Sequence, residues 1–308
     1  MKSRVCTGLL LLLSVITGCY TLKSVYKPVQ WLGAFPADSS GYLVVRNNPG
    51  WLLSGLSMKN ITNNKDARTL LEKTDSVYGA FKILTDGTVE FSFILLGNYP
   101  YCGANLSLDS SREWQRRNKP APYFVHSGDN LKIAIPDWYL ILITNGSMDS
   151  LLNSYRQAGG LSLEPEIEDY LETADLFCYF PHFAEEIIPD NIPFNREKLP
   201  VHAAWMYGDM MDNTCDLGGG FALQEENQAL LFRKGFRLFL PWWMKASGIS
   251  TGEAAGKLRN VELAVKDSTV NFMHLSLTTK ELENGLGVFT DRDSITGSTV
   301  TREKTGSP

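Results

Sequence analysis

The sequence predicts an α+β protein made of two pseudo-repeated units of antiparallel sheet with packed helices. Two observations carry this expectation. Strand-like runs follow one another with only turns between them, leaving no room for the crossover helices that parallel strands need. The order of elements in the first half also returns in the second. Ala37-Asp38 followed by Tyr42-Leu43 is echoed by Ala174-Asp175 followed by Tyr179-Phe180 at one constant offset. Later, Leu131, Ile133, Ile135 and Asp137 are echoed by Val261, Leu263, Val265 and Asp267 at a smaller offset, which requires an insertion or deletion between the halves.

The elements follow from local chemistry. Pro36 to Gly41 is rich in turn formers, and Tyr42 to Val45 is apolar and β-branched, a strand bounded as strands are. Trp51 to Met58 reads as a short amphipathic segment and Asp66 to Lys73 as a helix. Strands are predicted over Ser76 to Ile83 and Thr88 to Leu96, separated by the turn Thr85-Asp86-Gly87. Tyr99 to Pro122 reads as a polar connection. A meander follows over Pro122 to Ser127, Leu131 to Ile135 and Tyr139 to Thr144, and Ser147 is placed to cap a helix from Met148 to Gln157. In the second half, Pro165 stands at a first helical position with carboxylates behind it, as the positive end of a helix dipole favours. Val201 to Tyr207 and Leu217 to Leu223 are the next two strands.

Composition narrows the class of function. The 308-residue chain carries a formal charge of −5, with 44% hydrophobic and 20% charged residues. That describes a globular protein long enough for a sizeable core. An acidic chain without a block of Lys and Arg excludes nucleic acid as an expected partner.

The first nineteen residues carry an address. Lys2 and Arg4 give a basic start, Leu9 to Ile16 an apolar run, and Ile16-Thr17-Gly18-Cys19 small residues directly before a cysteine. This is the anatomy of a secretory signal, and the run is shorter than the ~20 residues of a membrane-spanning helix. The pattern resembles the lipobox of bacterial lipoproteins. The resemblance implies that Cys19 is the lipidation site and becomes the first residue of the mature chain. Tyr20, where some bacteria place an aspartate to retain lipoproteins in the inner membrane, points to the outer membrane. Pro36 to Val45 also resembles the start of uncharacterised bacterial envelope proteins, which implies no activity. The expected organisation is a signal peptide (1–18), a lipidated tether (19–34), a first α+β unit (35–160), a second (161–286) and a disordered tail (287–308).

Once the signal and Cys19 are set aside, Cys102, Cys178 and Cys215 remain. Either two of them form a disulfide or all three are thiols, and the apolar, strand-like settings of Cys178 and Cys215 point to thiols. No Cys-x-x-Cys occurs, so no zinc or redox pair is expected. His182 with Glu185 and Glu186 is the nearest approach to a metal cluster, but His126, His202 and His274 stand at no matching spacing. No metal or cofactor is expected. Glu164 to Asp175 is acidic without the loop of a calcium site.

Gly248-Ile249-Ser250-Thr251-Gly252 matches the Gly-x-Ser-x-Gly of a hydrolase elbow, which requires a strand before the serine. Here a helix precedes it, so Gly248 is expected to end that helix and Ser250 or Thr251 to cap the next. The helix itself, Asn227 to Ala246, is the most distinctive segment. Arg233, Arg237 and Lys245 line one stripe, and Phe232, Phe236, Phe239, Trp242 and Trp243 dominate the rest, with Pro241 expected to kink or end it. Such a helix either packs against the second sheet or lies in a membrane interface or roofs a lipid groove. Packing is the expectation; in the groove reading those five aromatics are the ligand-binding residues. The resulting functional expectation is a lipid-anchored envelope protein of binding or structural role, not an enzyme, that meets the membrane through its anchor and an envelope protein or apolar ligand through its body. A carrier of apolar ligands comes second, and a serine hydrolase using Ser250 last.

Overall fold

The computed structural model describes residues 27–47, 49, 72–128, 130–155, 161–187, 200–282 and 284. The signal, Cys19, the segment 51–58, most of the helix expected from 66 and the tail 287–308 lie outside the described residues.

Among the described residues, twelve strands form one continuous antiparallel sheet. The first half supplies β1 (Gly41–Arg46), β2 (Thr74–Ile83), β3 (Val89–Gly97), β4 (Trp114–Arg117), β5 (Tyr123–His126), β6 (Lys132–Asp137) and β7 (Leu140–Thr144). The second supplies β8 (Leu176–Phe180), β9 (Val201–Met211), β10 (Thr214–Leu223), β11 (Glu262–Lys266) and β12 (Thr269–Thr278). Their order across the sheet is β11-β12-β10-β9-β8-β1-β2-β3-β7-β6-β5-β4. The strands of both halves therefore share a single sheet, joined where β1 pairs antiparallel with β8.

Alternation along each strand divides two cores. Leu43, Val45, Val77, Leu95, Ile141, Leu176 and Cys178 are buried on one face, and Tyr42, Val44, Tyr78, Ile94, Leu142 and Phe177 on the other. Central strands covered on both faces read as unbroken apolar runs, which is why Tyr42 to Val45 shows no polar alternation. The first face is covered by α2 (Tyr101–Ser110), a π-helical turn (Phe183–Ile187), α5 (Glu226–Ala246) and α6 (Thr251–Leu258); the second by α1 (Pro28–Leu32), α3 (Met148–Ser154) and α4 (Pro165–Thr173).

Three details differ from the sequence expectation. The packed body begins before residue 35: Trp31 and Leu32 of α1 are fully buried against the second face, so the end of the expected tether is core. The stretch from Tyr99 to Pro122 is not a plain connection but holds α2 and β4. Gly103, Asn105, Ser107 and Ser110 are weak helix formers, and Ala104 is the one fully buried residue of α2, so little in the sequence announces it. The helix also runs through Pro241 to Ala246 without ending there.

Three successive glycines let β10 sit under aromatic rings. A Cβ at Gly218 would meet the Tyr207 ring, at Gly219 the Trp205 carbonyl and the Phe272 ring, and at Gly220 the Trp205 ring, all within 3 Å. Rings from the neighbouring strands approach the bare backbone too closely for a side chain at these positions.

Candidate functional site

The site with the clearest chemistry is α5 and the sheet beneath it. Glu226 stands in its first turn and Lys245 in its last, each at the favourable end of the dipole. Its end is a glycine cap. Gly248 has φ +83°, its N–H donates to the Lys245 carbonyl at 3.1 Å, and the Ile249 N–H donates to the Met244 carbonyl at 2.9 Å. Buried Ile249 and Met244 complete this Schellman arrangement, so the helix closes seven residues beyond the proline.

One stripe of α5 is core. Ala229, Phe236, Leu240 and Met244 are buried, and Phe232, Phe239 and Trp243 are half-buried against them. Phe221 of β10 is the hub beneath: its ring centroid lies 4.9 Å from Phe236, 5.1 Å from Phe232, 5.6 Å from Phe183 and 6.2 Å from Phe272. Of the five aromatics named from the sequence, four thus sit against the sheet. The side chain of Trp242 lies outside the described residues.

The opposite stripe was not anticipated. Leu231 is 69% exposed, Leu238 73% and Leu230 43%, and exposed Lys234, Arg237 and Lys245 stand among them. Leu231, Lys234 and Leu238 recur at spacings that align them on one helix face. The sequence carries the signal, because Leu230, Leu231 and Leu238 interrupt the basic stripe of the helix. Two polar atoms of the same helix, Gln228 Oε1 and Trp243 Nε1, are buried with no hydrogen-bond partner among the described residues. Leaving such groups unpaired costs about 1–3 kcal/mol each.

The other sequence candidates are placed as follows. Ser250 is the N-cap of α6. Its hydroxyl accepts from the Glu253 N–H at 3.4 Å and donates to Glu253 Oε2 at 2.7 Å, while the Glu253 carboxylate also accepts from the Ser250 N–H, a complete capping box. These bonds hold the Glu253 carboxyl below its ordinary pKa. His182 directly precedes the π-helical turn that carries Glu185. Among the described residues no three His, Cys, Asp or Glu side chains gather as metal ligands. His274 lies in a bulge of β12 at φ +63°, with Nδ1 3.4 Å from Asp216 Oδ2.

Cys178 and Cys215 are buried thiols and Cys102 an exposed one. Cys178 pairs with Met206 and Cys215 with Met210 on opposite sides of β9. Strands two places apart are separated by nearly 10 Å, beyond the reach of a disulfide. Burial pushes both thiols up to about 12.

On the other face of the sheet, α3 and the β2–β3 hairpin border a cleft of about 110 Å³ lined by Ser39, Ser92, Ser147 and Ser150 with Lys82 and Glu90. Sites for drug-sized ligands span roughly 300–1,000 Å³, so this cleft has room for a few waters rather than a lipid. No helix among the described residues is long and apolar enough to cross a membrane.

Comparison with known proteins places this architecture. The chain is similar in fold to TP0453 in three crystal forms. With form I the TM-score is 0.62 at 18% identity, covering 86% of this chain and 99% of that one. With form III it is 0.58 at 17% identity, with the same coverage. With form IV it is 0.58 at 17%, covering 83% and 95%. No curated protein matches the chain in sequence. The family model of the outer membrane-associated lipoprotein TP0453 matches residues 27–216, more than half of the chain, from α1 to the start of β10. The chain is therefore a member of the TP0453 family of outer membrane-associated lipoproteins.

Proposed function

We propose that this outer membrane-associated lipoprotein is a binding component of the envelope that lies on the bilayer through two contacts: an acyl chain on Cys19 and the outward stripe of α5. The observation that carries the reading is that stripe, with Leu231 and Leu238 more than two-thirds exposed beside Lys234 and Arg237. An apolar row flanked by cations suits the boundary between acyl chains and anionic headgroups, with the lysine stems extended along the apolar surface. The inner stripe supports it by holding the helix to the sheet, so the outer one is presented at a fixed angle. The body is read as the two units expected from the sequence, 35–160 and 161–286, meeting at β1 and β8, with the first extended back to include α1, whose Trp31 and Leu32 are core. In support, Asp38 ion-pairs with Lys82 of β2, while Asp175 accepts from the Met210 N–H of β9 at 2.9 Å, so each aspartate ties its central strand to the next.

The test is depth. An environment-sensitive dye on Leu231→Cys or Leu238→Cys, with Cys102→Ser, in the lipidated full chain on anionic vesicles is expected to shift to the blue and be quenched by brominated lipid. The same dye on Asp169→Cys of α4 is expected to report water. No quenching at both α5 positions refutes the reading. A second reading, a carrier of apolar ligands, draws on Gln228 Oε1 and Trp243 Nε1 of α5, buried without a hydrogen-bond partner among the described residues. Mass spectrometry of the purified protein finding a stoichiometric lipid would favour it.

A further inference from the structure

The two ends of the sheet are chemically unlike. At one end, β4 is Trp114-Gln115-Arg116-Arg117, with Trp114 half-buried and Arg116 ion-paired to Asp109 of α2 at 3.5 Å; two-fold antiparallel pairing with a second copy would set Arg116 opposite Gln115 and Arg117 opposite Trp114, so positive charge meets no carboxylate of the facing strand. Edge strands guarded by like charges resist such pairing. At the other end lies β11, Glu262-Leu263-Ala264-Val265-Lys266, bonded on one side to β12. Its free side makes no backbone hydrogen bond to another described residue.

This strand is complementary to itself. About a two-fold axis at Ala264, antiparallel pairing sets Glu262 of one copy opposite Lys266 of the other, twice, and Leu263 opposite Val265, twice. The charges and Ala264 fall on one face; Leu263 and Val265 fall on the face where they already pack against the first core. Glu262 has no ion-pair partner among the described residues. Lys266 is bonded to Glu166 of α4 at 2.6 Å and has further donors for a second carboxylate. From this charge pattern we infer that β11 is an association edge for a second copy of this chain, extending the sheet across a two-fold interface.

Physical scale explains where this occurs. Exposed ion pairs are weak, so five residues of strand pairing give a feeble dimer in free solution. Lipid anchoring holds both copies in one plane and raises their effective concentration, which promotes a contact too weak for solution. The inference uses the anchor alone, not the membrane contact of α5, and its test reads a different quantity. An isologous edge also closes at two copies, whereas pairing β11 with β4 would grow without end.

The experiment is register-specific crosslinking of the lipidated full chain on vesicles of phosphatidylethanolamine and phosphatidylglycerol, with Cys102→Ser throughout. In the proposed register the two Ala264 Cα atoms fall about 4.5–5.5 Å apart, within disulfide range, and the two Glu262 Cα atoms about 14 Å apart. Mild oxidation of Ala264→Cys is expected to give mostly covalent dimer. Glu262→Cys is expected to stay monomeric, and Glu262→Cys with Lys266→Cys to crosslink. Glu262→Lys added to Ala264→Cys is expected to abolish the dimer by facing lysine with lysine, and further addition of Lys266→Glu to restore it, with unchanged thermal unfolding showing each variant folded. A monomeric Ala264→Cys, equal crosslinking of Ala264→Cys and Glu262→Cys, or charge reversal without effect each overturns the inference.

Discussion

Tyr42 of β1 and Tyr179 of β8 stand directly opposite one another where the two halves of the sheet meet, their rings stacked with centroids 6.4 Å apart and planes 26° from parallel. Tyr42 is almost wholly buried, and its hydroxyl donates to the Pro36 carbonyl at 2.9 Å. Tyr42→Ala is expected to cost about 3–5 kcal/mol, as for other large aromatic deletions in cores. Tyr42→Phe, which removes the hydrogen bond alone, is expected to cost about 1 kcal/mol. Guanidinium unfolding midpoints check both, and equal midpoints for the two variants would contradict the packing described.

The two stripes of α5 are expected to separate stability from surface. Phe236→Ala removes a ring packed on Phe221 and Phe272 and should lower unfolding free energy by about 3–5 kcal/mol. Leu238→Ser lies on the outer stripe and should stay within about 0.5 kcal/mol of the parent. Denaturant unfolding measures the difference, and an unchanged midpoint for Phe236→Ala would show that the helix is not held by this face.

Ser250→Ala is expected to weaken the protein by about 0.5–2 kcal/mol through loss of the α6 cap. A fluorophosphonate probe for activated serines is expected to label neither parent nor variant, because Ser250 Oγ is bonded to Glu253. Labelling that disappears in Ser250→Ala would establish a nucleophile and displace the capping account.

The buried thiols give a pH prediction. Burial raises Cys178 and Cys215 to about 12 in the folded state. Unfolded thiols ionise near 8.5–9. Between those values the native state binds more protons than the unfolded one, so stability falls as pH rises and is full below the unfolded pKa. Unfolding midpoints from pH 8 to 11 should therefore fall less in Cys178→Ala than in the parent. A disulfide reagent at pH 8 should titrate Cys102 in the native protein and all three thiols after unfolding; rapid reaction of Cys178 or Cys215 in native protein would contradict their burial.

Acylation is the last expectation. Cys19→Ala should block incorporation of labelled fatty acid and leave the precursor unprocessed, read by autoradiography and mass. Label retained in the variant would place the anchor elsewhere.

The sequence by itself determined what depends on neighbours along the chain. Lipobox spacing raises the expectation that Cys19 carries the lipid. The runs around Val45, Leu95 and Ile141 marked strands, and Ser147, Gly248 and Ser250 marked helix ends, because caps and turns answer to residues within one helical turn. The outer-membrane lipoprotein character was likewise readable from the first twenty residues. The tertiary structure decided what depends on distant pairing. That β1 and β8 join both halves into one sheet rests on register between residues more than a hundred positions apart, which no local pattern encodes. That Phe236 faces inward was expected from the aromatic side of the helix, but that Leu231 and Leu238 stay exposed among Lys234 and Arg237 was decided by which stripe meets Phe221. The weak helix α2 exists because Ala104 finds a place beneath the sheet, and among the described residues the free edge of β11 exists because the strand order leaves it last. Local chemistry selects elements, and packing between elements selects which of their faces remain for function.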